Sequence, residues 1–151
     1  MKPKFQKLYN NIAHEVAKMS YARRLQVGAV IVKDDRVISM GYNGMPAGWD
    51  NNCESEETEF NLVTKTRTGT GKLTTRPEVL HAESNAIAKL AKSNDSGLGA
   101  ELFVTHAPCM ECSKLIFQSG ISRVYYSSDY RDDSGIKFLK QSGVEVIKHD
   151  E

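Results

Sequence analysis

The chain has few cysteines and almost no net charge. Its 151 residues include only three cysteines, Cys53, Cys109 and Cys112. An odd number is a poor disulfide framework, and the C-x-x-C spacing of the last two is typical of metal or redox sites in a reducing compartment. The 20 basic and 19 acidic residues leave a net charge of +1. Proteins that bind nucleic acid need a clear excess of Lys and Arg, so we expect no nucleic-acid partner.

Long apolar runs are also missing. The opening segment, MKPKFQKLYNNIAHEVAKM, contains no uninterrupted apolar stretch of the kind that a signal peptide or a membrane span needs. We therefore expect a cytoplasmic protein without a membrane partner, in the host cytoplasm if the chain is viral. The length and a hydrophobic fraction of 40% predict one domain over residues 1–151, large enough to bury an apolar core.

The apolar pattern predicts alternating helices and strands. Phe5, Leu8, Ile12, Val16 and Met19 recur at the three- and four-residue steps of an amphipathic helix. Further along the chain, a hairpin, three helices and three strands are predicted at 27–32, 37–40, 81–91, 102–105, 109–119, 124–126, 136–141 and 144–147. This order predicts an α/β fold in which a partly parallel sheet carries helices on its faces.

The segment over residues 44–80 does not fit this alternation. Connections of such length in compact domains are usually functional or mobile, so we treat it as an insert within the single domain. Its first part is acidic, and a short acidic helix is expected there, with Asp50, Glu54, Glu56, Glu57 and Glu59. Its second part is basic, with Lys65, Arg67, Lys72 and Arg76.

Two short motifs, HAE at residues 81–83 and PCMEC at residues 108–112, carry the strongest functional signal. The pattern H-x-E followed by P-C-x-x-C is the signature of zinc base deaminases. Cys109 and Cys112 would fall on one helical turn, so both thiolates face the same way. Zinc prefers thiolate and imidazole ligands, and His81 would supply the imidazole. Three protein ligands leave a fourth position for water, which is typical of a catalytic zinc site.

Glu83 lies two residues from one of these ligands, at the start of a predicted helix. Its carboxylate can reach the water at the open position and move its proton without binding the metal. Two alternatives remain open. Cys53 as a fourth ligand would close the site and make it structural, and a thioredoxin-like cysteine pair would leave His81 and Glu83 without a role.

Two other segments are candidates for substrate binding. The turn at residues 41–44, GYNG, follows a predicted strand, and the Asn43 amide could donate to and accept from a sugar hydroxyl. Asn-Gly is also the commonest tight-turn pair, so a purely structural turn is the alternative. Ser20, Arg23 and Arg24 precede the first predicted strand, where a guanidinium would match phosphate oxygens or, alternatively, be a solvated link.

The sequence resembles the dCMP deaminases of phages and eukaryotes, within the zinc-dependent cytidine deaminase superfamily. The resemblance covers nearly the whole chain, and the segments that carry it are VGAVIV, GYNGMPAG, HAESNAI, APCMEC and SSDYRD. It implies a cytidine-deaminase-like α/β/α layered fold, with a five-stranded mixed sheet flanked by helices. It also implies the conversion of dCMP to dUMP and ammonia, which supplies dUMP for thymidylate synthesis.

Binding roles follow from the same resemblance. It implies one zinc per chain at His81, Cys109 and Cys112, with Glu83 as the catalytic residue. The implied substrate-binding residues are Asn43, Ser20, Arg23, Arg24, Ala82 and Tyr130. The resemblance also implies a homohexamer, as is common among relatives, with dCTP and Mg²⁺ as activator and dTTP as inhibitor. The implied effector residues are Gly41, Tyr42, Gly44, Met45, Lys65, Arg67, Lys72 and Arg76. The alternatives are a deaminase of another cytosine or adenine substrate, such as a nucleoside or tRNA, and a non-catalytic binding module built on structural zinc.

Overall fold

A computed structural model describes residues 1–149, and within them the chain forms four helices and seven strands. The helices are α1 (Pro3–Ala17), α2 (Ala82–Ala91), α3 (Met110–Gln118) and α4 (Ser134–Gln141). The strands are β1 (Gly28–Lys33), β2 (Arg36–Tyr42), β3 (Glu54–Asn61), β4 (Thr66–Thr75), β5 (Glu101–His106), β6 (Arg123–Ser128) and β7 (Glu145–Lys148). The predicted single domain extends to residue 151, and its final residues, 150–151, lie outside the described residues.

Five strands form one mixed sheet in the order β2-β1-β5-β6-β7. Strand β1 runs antiparallel to both β2 and β5, whereas β5, β6 and β7 are parallel to one another. The β1–β2 turn has Asp34 and Asp35 at φ of 51° and 58°, which are the positive values that tight hairpin turns require. The predicted partly parallel sheet is therefore confirmed.

Alternation along the strands places helices on both faces of the sheet. Ala29 and Ile31 of β1 pack in a cluster with buried residues of α2, α3 and α4. Val30 and Val32 face the other way and pack with Tyr9 and its neighbours on α1. Because successive side chains of a strand point to opposite faces, one short apolar run serves both layers. The α/β/α layered fold is confirmed.

The first helix ends two residues before its predicted apolar stripe does, and only part of that stripe is buried. It ends at Ala17, and two stripe residues, Leu8 and Met19, are 46% and 62% exposed. The buried positions include Ala13 and Ala17, against which Gly28 of β1 packs so closely that a Cβ on Gly28 would overlap their backbone. Small residues allow this approach, so the buried face adds alanines to the predicted stripe residues Phe5, Ile12 and Val16, which pack against the cluster around Tyr9.

The predicted acidic helix in the insert is wrong, because β3 and β4 form a separate two-stranded antiparallel hairpin. Like charges three or four residues apart on a helix repel one another. In the hairpin, the acidic strand instead lies beside a threonine-rich basic strand, and Glu57 approaches Lys72 at 3.7 Å. Lys65 closes the turn at φ 55°. The two ends of the insert meet at a bridge in which Gly44 and Leu80 exchange backbone hydrogen bonds of 3.0 and 2.8 Å.

No helix within residues 1–149 combines the length and the apolar character that crossing a membrane would need.

Candidate active site

The sequence motifs meet at one edge of the main sheet. The carboxyl ends of the parallel strands β5 and β6 lie there, which is where α/β sheets usually bind their ligands. Because β1 is antiparallel to β5, the beginning of β1 and the end of β2 reach the same edge. A cavity of about 520 Å³ opens there, and its walls include Arg24, Asn43, Thr75, His81, Ala82, Glu83, His106, Cys109, Ser128, Asp129, Tyr130 and Arg131.

Two helix starts present the metal-ligating side chains. His81 is the extended residue that precedes α2, and Cys109 has the same position before α3. The first turn of α3 then brings Cys112 beside Cys109, whose sulfur accepts a hydrogen bond from the Cys112 backbone at 3.5 Å. His81 Nδ1 lies 3.3 Å from Cys112 Sγ and 3.6 Å from Cys109 Sγ.

These distances fit a tetrahedral zinc ion. With Zn–S bonds of about 2.3 Å and Zn–N bonds of about 2.0 Å, nitrogen and sulfur ligands lie about 3.5 Å apart. The three ligand atoms all lie within 4.8 Å of one another. The fourth candidate, Cys53, lies outside this group, and its buried thiol contacts the Asn51 carbonyl at 3.6 Å. The described residues 1–149 thus place three ligands, not four, around this point.

The lowered pKa of the Cys109 thiol also favours metal binding. Hydrogen bonds from Cys112 and His81 lower the pKa of the Cys109 thiol to about 4. The hydrogen bond to Cys109, together with burial, raises the pKa of Cys112. The lowered pKa favours the thiolate form of Cys109, which is the form that binds metal, and Cys109 lies at a helix N-terminus, where the helix dipole favours negative charge.

Glu83 lines the same cavity as His81 and Cys109, and it is only 5% exposed. Burial raises the pKa of its carboxyl, which favours the protonated form, while the charge of His81 acts in the opposite direction. A carboxyl group in such surroundings can alternate between holding and releasing a proton, as a general acid–base must. The preceding Ala82 is fully buried and lines the cavity.

The predicted sugar-binding residue, Asn43, lies in the cavity wall, but its amide already has protein partners. Its Oδ1 accepts from the Val27 backbone and its Nδ2 donates to the Leu25 carbonyl, both at 2.8 Å. One amide hydrogen and one oxygen lone pair remain for a ligand. Ser20 was also predicted to bind substrate, but its hydroxyl donates to the Asn43 carbonyl at 2.7 Å. Ser20 therefore supports the Asn43 turn from outside the cavity lining.

The structure separates the two arginines that the sequence could not. The Arg23 guanidinium faces away from the cavity, toward Asn52 Oδ1 at 3.0 Å and Glu54 Oε2 at 3.4 Å. Arg24 lines the cavity, and its Nη1 donates to Thr75 Oγ1 at 2.8 Å. Arg24 is therefore the arginine available to a ligand. Tyr130 lines the same cavity, as predicted, and the Arg131 guanidinium lies 6.0 Å from its ring.

Sequence reasoning missed several residues of this site. His106 is the last residue of β5 and lines the cavity, while its Nδ1 lies 2.9 Å from Thr105 Oγ1. Burial lowers the pKa of His106, with a smaller contribution from the charge of His14. Gly135, the second residue of α4, lies so close to Pro108 that a Cβ would overlap the Pro108 carbonyl. The position of His106 at the end of a predicted strand was a usable signal, whereas nothing local marked Gly135.

The predicted effector residues are not brought together within the chain. Gly41 packs against the first turn of α2, where a Cβ would overlap the Ala82 carbonyl, and Gly44 belongs to the bridge that closes the insert. Tyr42 is 38% exposed at the end of β2, and Met45 follows the bridge. Three of the four cations have hairpin or insert partners. Lys72 approaches Glu57, Arg67 lies over the Phe60 ring, and Arg76 pairs with Asp50 and Glu78.

The remaining cation, Lys65, lies at the hairpin tip, whereas Arg76 follows the end of β4. A strand rises about 3.3 Å per residue, so the length of β4 keeps these two cations about 30 Å apart. One triphosphate could contact only part of this set within one chain.

Comparison with known proteins places this site among deaminases. Residues 3–128 match the model of the family described as the cytidine and deoxycytidylate deaminase zinc-binding region. ComE operon protein 2 of Bacillus subtilis is 40% identical over 135 residues, which are 89% of this chain and 65% of that protein. The deoxycytidylate deaminase of phage T4 is 33% identical over 165 residues, which are 90% and 85% of the two chains.

A solved structure is similar over almost the full length. The dCMP deaminase of cyanophage S-TIM5, in complex with dCMP and dUMP, has a TM-score of 0.84 and 41% identity, and the match covers 99% of each chain. By contrast, the chain spans less than two thirds of the Bacillus subtilis protein.

Proposed function

This chain belongs to the cytidine and deoxycytidylate deaminase family, and we propose that it hydrolyses dCMP to dUMP and ammonia. One observation carries the proposal. Three metal ligands lie at a single cavity of about 520 Å³, together with the buried carboxyl of Glu83 and the guanidinium of Arg24. This volume suits one nucleotide. The similarity to an enzyme that binds both dCMP and dUMP supports the same substrate and product.

Within this proposal, His81 Nδ1, Cys109 Sγ and Cys112 Sγ hold one zinc ion. Bound zinc supplies a water nucleophile at neutral pH, because it lowers the pKa of that water to about 7. The protein's part is to fix three ligands in place and to leave one side open to the cavity. The ligand distances of 3.3 and 3.6 Å from His81 Nδ1 support this arrangement.

Glu83 moves the protons. Its carboxylate accepts a proton from the attacking water and delivers it to the ring nitrogen N3 of cytosine. The water oxygen bonds to C4 in this step. The same carboxylate then takes the proton of the new C4 hydroxyl and passes it to the amine, and the C4–N4 bond breaks to release ammonia. One water proton thus ends on N3 and the other in ammonia, so dCMP plus water gives dUMP plus ammonia. Burial raises the pKa of the Glu83 carboxyl toward the working range of a general acid–base. The group can therefore both accept a proton from water and donate it to the substrate.

The rest of the cavity orients the nucleotide. We assign the sugar to Asn43, which retains one donor and one acceptor, and the base to the wall formed by Ala82 and Tyr130. The phosphate then lies toward Arg24, whose guanidinium matches phosphate oxygens, with Arg131 as a second cation on the same wall.

A substrate panel tests this proposal. Mass spectrometry of the products from dCMP, deoxycytidine, cytidine, dCTP and an RNA hairpin should show dUMP as the main product, formed fastest from dCMP. Faster inosine or uridine formation in the hairpin would favour the nucleic-acid alternative. Turnover of none of the five by a zinc-loaded chain would favour a binding module.

Arg24→Ala is expected to raise the KM for dCMP by about tenfold or more while changing kcat little. Contacts between charged groups contribute about 1.5–3 kcal/mol, and Arg24 is exposed, so the lower end applies. Arg23→Ala is the matched control, because that side chain faces Asn52 and Glu54 rather than the cavity. Steady-state kinetics on both variants decides the assignment. If Arg24→Ala leaves KM unchanged, the phosphate lies at Arg131 or at the basic strand of the insert.

We also propose that dCTP with Mg²⁺ activates the enzyme and dTTP inhibits it. The Gly41–Gly44 turn supports this idea, since it contacts α2 at Gly41 and holds Asn43 in the cavity. An effector changes activity only if it binds two states of the protein with different affinities. The dCMP saturation curve should be sigmoidal alone, hyperbolic with dCTP and Mg²⁺, and displaced to higher dCMP by dTTP. A curve that neither nucleotide moves would remove regulation.

Four expectations remain predictions: the homohexamer, the single domain over residues 1–151, the cytoplasmic location, and the supply of dUMP for thymidylate synthesis. Light scattering of the purified chain gives the oligomeric state directly, and a mass of six chains is expected, or about 100 kDa from the 16.8 kDa of one.

A further inference from the structure

The base of the β3–β4 hairpin contains a buried charge that the reaction does not use. Glu54, the first residue of β3, is 1% exposed. Its Oε1 accepts hydrogen bonds from the backbone N–H groups of Arg23 and Arg24 at 2.8 and 3.1 Å. Its Oε2 lies 3.4 Å from Arg23 Nε. Although burial raises the pKa of this carboxyl, the hydrogen bonds from Arg24 and Arg23 outweigh it and lower the pKa. Glu54 is therefore a carboxylate that fixes the backbone on which Arg24 stands.

Thr75 fixes the other end of the same arginine. In the hairpin register, Thr75 pairs directly with Glu54. Its hydroxyl accepts a hydrogen bond from Arg24 Nη1 at 2.8 Å, and Thr75 itself lines the cavity. The two residues at the base of the insert thus hold the backbone and the guanidinium of Arg24.

We propose that Glu54 and Thr75 are positioning residues that make the enzyme select a nucleotide over a nucleoside. This inference rests on the proposed function, in which Arg24 binds the substrate phosphate. An exposed arginine samples many rotamers, and ordering it when the ligand binds lowers the affinity. The hairpin base orders Arg24 in advance. The phosphate therefore meets a guanidinium that is already in place, whereas a nucleoside gains nothing from it.

This arrangement gives the insert a role in the reaction. The hairpin has its own two-stranded sheet, and most of its residues are exposed. Its first residue and its last residue are the ones that hold Arg24. A change at Glu54 should reach the reaction through Arg24, since the zinc ligands and Glu83 lie on α2 and α3 or directly before them.

The test compares Glu54→Gln with the matched control Glu59→Gln, an exposed glutamate on the same strand. In Gln, the charge is lost, and the NH₂ must face either the backbone donors of Arg23 and Arg24 or the Arg23 guanidinium, neither of which it can accept from. We expect Glu54→Gln to raise the KM for dCMP about tenfold with kcat nearly unchanged, and to leave kcat/KM for deoxycytidine as in the parent. Calorimetry should show that the affinity for dUMP also falls about tenfold, while the affinity for deoxyuridine stays as in the parent. Glu59→Gln should change neither quantity.

Thr75 provides a second route that leaves the buried charge intact. Thr75→Val should reduce the preference for dCMP over deoxycytidine several-fold, and Thr75→Ser, which keeps the hydroxyl, should restore it. A double-mutant cycle then asks whether Glu54 acts through Arg24. In an Arg24→Ala background, Glu54→Gln should cause no further loss of preference.

Three results would overturn the inference. An equal loss of kcat/KM on dCMP and deoxycytidine would make Glu54 a residue of general stability. Additive effects in the cycle would show that Glu54 does not act through Arg24. Unchanged preference in both Glu54→Gln and Thr75→Val, with the parent active on dCMP, would remove the positioning role but keep the proposed function. A parent chain that does not deaminate dCMP would instead refute the proposed function itself.

Discussion

Glu83→Gln is expected to lower kcat for dCMP by at least about 10²- to 10⁴-fold, the range for loss of a general acid–base. Glutamine has nearly the same shape as glutamate but cannot accept and release protons. The effect should lie at or above the upper end of that range, because one carboxyl serves both transfers. Zinc content by elemental analysis should stay at one per chain, since Glu83 is not a ligand in the proposed site.

The same variant separates catalysis from folding. Burial disfavours the ionised form of Glu83, so removing the charge should leave the free energy of unfolding unchanged or slightly raised. Thermal unfolding of the parent and the variant measures this directly. Near-parental turnover by a folded, zinc-loaded Glu83→Gln protein would refute the proton-transfer role.

Cys109→Ser and Cys112→Ser are each expected to lose the zinc ion and, with it, essentially all deaminase activity. A serine hydroxyl is a much poorer zinc ligand than a thiolate, and two ligands hold zinc weakly. Because metal binding stabilises only the folded state, both variants should also unfold at a lower temperature than the zinc-loaded parent. The measurements are elemental analysis, dUMP formation and thermal unfolding of the same preparations.

Cys53→Ser is the matched control for these variants. Cys53 is as buried as Cys112 but lies outside the ligand group, so its replacement should keep zinc and activity. Loss of zinc from Cys53→Ser would indicate a closed site with four protein ligands. Retention of zinc and turnover by Cys109→Ser or Cys112→Ser would contradict the ligand assignment.

The sequence was a good guide where the determinants of structure are local. Cys109 and Cys112 are one helical turn apart, and Gly120 and Gly143 adopt φ of 84° and 87° where α3 and α4 end. Spacing and helix-stop residues encode such features directly. The parallel part of the sheet also followed from the alternation of strands and helices.

Contacts between distant segments could not be predicted in this way. Arg23 and Arg24 are adjacent and chemically identical, and only Glu54 and Thr75, which are far away in sequence, decide which one faces the cavity. The face of α1 was predicted only in part for a related reason: Phe5, Ile12 and Val16 pack against the core as expected, but the close approach to Gly28 buries small residues that the stripe omits.

The insert shows the limit of composition as a guide. Its acidic first half contains good helix formers, yet it forms a strand because a threonine-rich partner segment lies one tight turn away at Lys65. Cross-strand pairing stabilises this arrangement, and pairing is a property of two segments together. A prediction made from the acidic half alone could not include it.

A zinc titration tests the central claim most directly. The metal-depleted chain is supplied with increasing zinc, and the initial rate of dUMP formation from dCMP is followed by ultraviolet absorbance. The account predicts that the rate rises in proportion to zinc and reaches a plateau at one equivalent per chain. A chain that forms no dUMP at any zinc level, or one that is fully active while metal-free, would contradict it.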